Sequence, residues 1–161
     1  MRKPRLLQDG ARYHVGSRGH QKRHLFQTVR EKQLFLSVLA RAKVRFGFRL
    51  ENLCILSNHF HAIIRPRLGT SLSRILQWIL SVFAQAWNRL HDLQDRVWGP
   101  RFFSRILEGI RTYLAVFRYI DLNPVRARLV PTPEDWPYGG PAFREGRRGL
   151  VLDSPEEDDN R

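Results

Sequence analysis

Between residues 48 and 65 the chain carries two apolar runs broken only by Ser57-Asn58. Phe48 to Leu56 and His59 to Arg65 are each the length of a strand. So short a connection leaves them one way to pair, side by side and antiparallel. Pro66 closes the second run. Helical patterns stand on both sides of this hairpin. Glu31 to Phe46 puts Phe35, Val38, Leu39, Ala42 and Phe46 on one stripe, and Gly47 marks the helix end. Thr70-Ser71 offers an N-cap for a second helix reaching about Leu90. Leu72, Ile75, Leu76, Ile79, Phe83, Ala86, Trp87 and Leu90 form its apolar stripe.

The outlying segments complete the pattern. Ala11 to Ser17 reads as a strand, followed by a basic loop, Arg18-Gly19-His20-Gln21-Lys22-Arg23. Arg101 to Ser104 suits a short strand or an extended edge. A third helix is expected from Glu108 to about Leu122, stopped by Pro124, which restricts the residue before it. Strand, helix, strand, strand, helix and a further helix point to an α+β layer built on an antiparallel sheet. The 161 residues suit one domain. We expect residues 1–145 to form it and 146–161 to be a disordered acidic tail.

Charge narrows the partner. Lys and Arg number 28 against 15 Asp and Glu, a formal net charge of +13. Arg supplies most of the excess, and its planar fork pairs with phosphate and stacks on rings. A polyanion, nucleic acid above all, is the expected partner. Cys54 is the single cysteine. It excludes an intramolecular disulfide and any cysteine-based zinc centre, and reads as a small buried hydrophobe. The basic N-terminus lacks an apolar stretch for a signal peptide, and no run is long enough to span a membrane. A cytoplasmic location follows as an expectation.

Two constellations carry possible chemistry. In Asn58-His59-Phe60-His61-Ala62-Ile63-Ile64 the strand period of two puts His59, His61 and Ile63 on one face and Phe60, Ala62 and Ile64 on the other. Two imidazoles about 7 Å apart along a strand can converge on one cation. The pair alone does not choose the metal. In Arg118-Tyr119-Ile120-Asp121-Leu122-Asn123-Pro124, Tyr119 and Asn123 stand at i and i+4, on one helix face, and Asp121 points elsewhere. A tyrosine near positive charge can act as a nucleophile. Taken alone, it can equally be a helix residue that packs its ring and exposes its hydroxyl.

Asn58-His59-Phe60-His61 with the apolar pair after it resembles the HUH motif. Tyr119-Ile120-Asp121-Leu122-Asn123-Pro124-Val125-Arg126-Ala127 resembles the tyrosine segment of the REP-associated tyrosine transposases, relatives of the single-tyrosine HUH transposases. Lesser likenesses fall in the same order: Gly10 to Val15 with Ser17-Arg18-Gly19, Ser71-Leu72-Ser73-Arg74, Trp98 with Arg101-Phe102, and Glu134-Asp135-Trp136-Pro137. The likeness covers residues 10–142.

The resemblance implies a ferredoxin-like antiparallel sheet with helices on one face. It implies that His59 and His61 hold Mg²⁺ or Mn²⁺, with Asn123 as a third ligand. Tyr119 would cut and rejoin single-stranded DNA beside a hairpin, through a 5′-phosphotyrosine link. Arg18, Lys22, Arg23, Arg74 and Arg101 are the expected DNA contacts, with the protein a monomer or homodimer. Four positions depart from the family pattern: Ser57 for Pro, Gly99-Pro100 for Gln-Gly, and Arg128 for Gly. A positive φ at residue 128 would strain an arginine. Two other readings stand beside the transferase: a hairpin DNA- or RNA-binding module with silent chemistry, and a hydrolase using activated water with Tyr119 structural.

Overall fold

A computed structural model of the chain describes residues 8, 10–150 and 152–155. The basic residues 1–7 and the acidic residues 156–161 lie outside the described residues. Strands β1 (Arg12–Arg18), β2 (Arg49–Ile55), β3 (His59–Arg65) and β4 (Phe103–Leu107) form one sheet in the order β2-β3-β1-β4, each pair antiparallel. The helices are α1 (Val29–Phe46), α2 (Leu72–His91), α3 (Gly109–Arg126) and the short α4 (Gly140–Arg144). The expected α+β class and antiparallel ferredoxin-like sheet are present.

Alternate residues of the central strands feed two different layers. Val15, Phe60, Ala62 and Ile64 face α1 and α2 in the larger core, with Phe26, Phe35, Phe83 and Trp98. These rings pack with centroids 4.8 Å (Phe35–Phe60), 5.3 Å (Phe26–Phe83) and 5.4 Å (Phe83–Trp98) apart. Such pairs add about 0.5–1.5 kcal/mol each beyond the burial of their area. Trp98 also donates its indole N–H to the Leu80 carbonyl at 2.9 Å, so its role is structural.

The opposite face carries α3. Val116 and Ile120 cover Cys54, Leu56 and Ile63 in a second, smaller core. The expectation of helices on one face therefore holds for α1 and α2, whereas α3 lies across the other. Cys54 is fully buried there, as expected, and burial pushes its thiol pKa up.

Local signals explain most boundaries. Thr28 caps α1 in a reciprocal box with Glu31, which starts the helix two residues before the expected Glu31. Gly47 ends it at φ 69°, a left-handed conformation that glycine adopts without penalty. The Ser71 hydroxyl accepts the Arg74 N–H at the start of α2.

Two boundaries differ from expectation. The last strand lies at Phe103–Leu107, two residues later than the edge expected at 101–104, because it continues as long as it can pair with β1. The third helix does not stop before Pro124 but runs to Arg126. A proline there removes one donor in the final turn, while Ala127 N–H still reaches the Asn123 carbonyl at 3.0 Å and Leu129 N–H the Pro124 carbonyl at 3.0 Å.

The segment expected as tail begins in contact with the fold. Leu150 is buried, and Asp153 accepts from Lys43 and from the Leu50 N–H, both at 2.7 Å, beside the edge strand β2.

Candidate active site

Strand register assembles the site. His61 pairs with Gly16 of β1, and Gly16 with Phe103 of β4. His59 pairs with Arg18, and His14 with Arg105. All these residues stand on the α3 face. Gly16 is there because nothing larger fits: a Cβ would meet the Phe60 carbonyl oxygen at 2.7 Å and His61 Nδ1 at 3.4 Å. Its bare backbone lets the imidazoles lean across the sheet. The rings of His59 and His61 are 5.1 Å apart, as are those of His61 and His14.

The ring nitrogens are sorted by their neighbours. His59 Nδ1 lies 2.7 Å from Asn58 Oδ1, an oxygen that can only accept, so Nδ1 carries the proton and Nε2 keeps its lone pair. Asn58 is held in that orientation by its amide N–H₂, directed at the Lys22 carbonyl at 3.5 Å. His61 Nδ1 and His14 Nε2 are 3.0 Å apart and share one hydrogen bond. With His61 as donor, its own Nε2 is free to bind a cation, the arrangement by which a neighbouring group fixes a ligand's tautomer. Burial pushes all three histidines down to about 4, helped at His14 by His61 and Arg105, at His59 by His61 and Arg18, and at His61 by Arg18. They are neutral at pH 7, the form that ligates metal.

Tyr119 descends onto this group from α3. Its ring centroid is 5.8 Å from that of His61 and 6.1 Å from that of His14. It remains 36% exposed, so its hydroxyl is reachable. Asn123, one turn on, is buried. Arg126 lies a further turn along and holds its guanidinium 4.8 Å above the Tyr119 ring. The three form one stripe, i, i+4 and i+7, beside the apolar stripe of Tyr113, Val116 and Ile120 that seats the helix.

Behind the tyrosine the helix is fastened by polar contacts. Asn52 of β2 donates to Asp121 Oδ1 at 3.0 Å and to the Phe117 carbonyl at 3.1 Å. Arg144 of α4 bonds Asp121 Oδ2 at 2.5 Å and packs its guanidinium 4.9 Å over the Phe117 ring. Gly140 makes room for the cluster, since a Cβ there would lie 2.3 Å from Asp121 Oδ1 and 2.4 Å from Asn52 Oδ1.

The expected DNA contacts divide. Arg18 and Arg101 line a pocket of about 210 Å³ together with Gly16, Ser17, His59, Phe60, His61 and Phe103. Lys22 is exposed in the adjoining loop. That loop is stitched to the β2–β3 turn by the Gly19 N–H and Asn58 carbonyl at 2.8 Å. Arg23 instead pairs with Asp95 at 2.8 Å, lies over Trp87, and lines a separate cleft with His20, His24 and His91. Arg74 is exposed near the start of α2, at the end of the sheet remote from His59 and on the opposite face. Sequence reasoning missed His14, Phe103, Arg105 and Arg126. The period of two along Arg12–Arg18 sets His14, Gly16 and Arg18 on one side, but only the pairing with β3 reveals what they face.

Among the described residues no three His, Cys, Asp or Glu side chains are disposed to hold a metal ion, although three histidines adjoin. His14 Nε2 is engaged with His61 Nδ1 in the hydrogen bond they share. The donor set that fits a cation is therefore two imidazole Nε2 atoms, with room for oxygen donors.

The fold thus brings a tyrosine on a helix over a histidine pair, beside a pocket bordered by arginines on an antiparallel sheet. Comparison with known families is specific: residues 8–123 match the model described as "Transposase IS200 like", and the chain belongs to that family of DNA-cutting and DNA-rejoining proteins. Among solved structures it is similar to a REP-associated tyrosine transposase bound to a REP hairpin. The TM-score is 0.80 and the identity 22%, over 94% of this chain and 88% of that one. A proposed transposase from Deinococcus radiodurans R1 shares the fold at a TM-score of 0.53 and 14% identity, over 75% of this chain and 96% of the other. No curated protein matches the chain. Among the described residues no helix is long and apolar enough to cross a membrane.

Proposed function

We propose that the chain is a metal-dependent endonuclease and strand transferase for single-stranded DNA, acting beside hairpins through Tyr119. The observation that carries this reading is the approach of the Tyr119 ring to within 5.8 Å of His61, from a helix that crosses the histidine face. His59 and His61 would hold a divalent cation, Mg²⁺ or Mn²⁺, through Nε2, with Asn123 as the candidate third ligand. Nitrogen donors favour Mn²⁺ over the harder Mg²⁺. When bound, the ion would polarise the scissile phosphate and assist departure of the 3′-oxygen.

Arg18 and Arg101 draw the phosphate into the pocket. The Tyr119 oxygen attacks phosphorus as its phenolic proton passes to solvent. The new O–P bond forms while the bond from phosphorus to the 3′-oxygen breaks. That oxygen leaves as a hydroxyl after taking up a proton, and the 5′-phosphate remains on the tyrosine. Attack by another strand's 3′-hydroxyl reverses these events and rejoins DNA. Arg126 stacked over the ring would hold the tyrosine in place beside the histidines. A hairpin substrate is supported by the solved relative that carries one. Lys22, Arg23 and Arg74, outside the pocket, would meet DNA beyond the reacting bond.

The test uses end-labelled single-stranded oligonucleotides with hairpins from the flanks of the gene, incubated with Mn²⁺ or Mg²⁺ and run on a denaturing gel. A protein-linked band that Tyr119→Phe and a chelator both abolish is the expected result. Cleavage that survives Tyr119→Phe would instead identify a hydrolase with activated water. Tight hairpin binding without cleavage would leave a binding module.

A further inference from the structure

The pocket beside the histidines has one wall that the strand-transfer chemistry does not use. Phe103, on the edge strand β4, is 49% exposed although its cross-strand partner Gly16 is buried. Its ring packs against His14 in a T-shaped contact, with centroids 5.0 Å apart, and lines the pocket. Gly16 lies between Phe103 and His61 in the same cross-strand row, so the floor between them has no side chain. Arg18 and Arg101 border the same space. The row spans two strand spacings, roughly 10 Å. One nucleotide can bridge that distance, with its phosphate at the histidines and its base at the ring.

We propose that Phe103 and the Gly16 notch form a nucleobase seat, in which the base next to the scissile phosphate stacks on the Phe103 ring. The inference rests on the phosphodiester reading of the site. An apolar ring held half-exposed among arginines suits a partner with a flat π-face and a phosphate attached, which is what single-stranded DNA offers. Stacking discriminates little between bases, so the seat registers the strand relative to Tyr119 without reading its sequence. Phe103 is thus a positioning residue that touches substrate away from the reacting atoms.

The experiment is an abasic scan. Fluorescence anisotropy measures binding of a labelled hairpin oligonucleotide whose single-stranded flank carries one abasic site, moved position by position, to wild type, Phe103→Leu and Phe103→Trp. With wild type, one position next to the cut should weaken binding about 5- to 150-fold, the range for losing one stacked base. Phe103→Leu should lose a similar factor on the intact strand and become indifferent to that abasic site. Phe103→Trp should restore both the affinity and the sensitivity. Superimposable abasic profiles for wild type and Phe103→Leu would overturn the seat, as would a wild type that binds no single-stranded flank. A strand that is bound but left uncut by wild type would sink the Tyr119 chemistry alone, because the abasic comparison still reads the seat.

Discussion

The two faces of the sheet are built from the same strands and behave as different materials. Phe60 and Ala62 enter a dry aromatic layer under α1 and α2, while His59 and His61, their immediate neighbours, enter a polar cleft under α3. The first face is closed by rings that interlock. The second is apolar only toward Cys54, Leu56, Ile63 and Ile120, and toward the other end it opens over imidazoles and arginines. Stability and chemistry are thus separated by a single residue of register. The strand period of two enforces the separation, since any slip would exchange the contents of the faces.

Substitutions can break that comparison from either side. The largest effect should come from His61→Ala. On the proposed metal chemistry, removing this imidazole should forfeit several kcal/mol of transition-state stabilisation, roughly a thousandfold in cleavage rate, with the urea midpoint unchanged. On the other face Phe83→Ala should do the reverse. It removes a fully buried ring and should cost about 3–5 kcal/mol by urea denaturation, with cleavage per folded molecule intact. His14→Phe tests whether the hydrogen bond to His61 matters. Manganese affinity, followed by isothermal titration calorimetry, should fall about 10- to 100-fold, and equal affinities would reduce His14 to packing.

Acid sharpens the contrast. The three histidines sit at about 4 when folded against the ordinary histidine value of 6.5. Between those values the unfolded chain binds more protons than the folded one. The contribution to stability is therefore complete above pH 6.5 and is lost as pH falls toward 4. Thermal unfolding temperatures should decline across that window in wild type and less steeply in His14→Phe. Cation binding should persist below pH 6, where a solvated histidine pair would already be protonated.

The smallest effect is expected at Arg128, which has φ 59°. An arginine there is strained, as the sequence comparison anticipated, and Arg128→Gly should raise stability by about 0.5–1 kcal/mol with cleavage unaltered. A drop in the urea midpoint would show that the arginine side chain compensates for its backbone.

What was legible in the sequence follows the range of the interaction. The histidine pair, the Tyr119–Asn123 face and both long helices rest on local periodicity, and each is where the spacing puts it. His14 and Phe103 entered the site through strand pairing, which no local pattern reveals. Asp121 was read as pointing away from Tyr119, and its partners Asn52 and Arg144 are distant in the chain. Pro124 misled because one missing donor near a helix end costs little once the other backbone groups in that turn are bonded. Arg74 and Arg23 were chosen for charge, and the fold sends them to other surfaces.

The fastening of α3 is divided along the chain. The family match ends at residue 123, whereas Gly140 and Arg144, which hold Asp121, come after it. In this chain the matched region carries His59, His61 and Tyr119, and Arg144, beyond it, braces the helix on which Tyr119 sits.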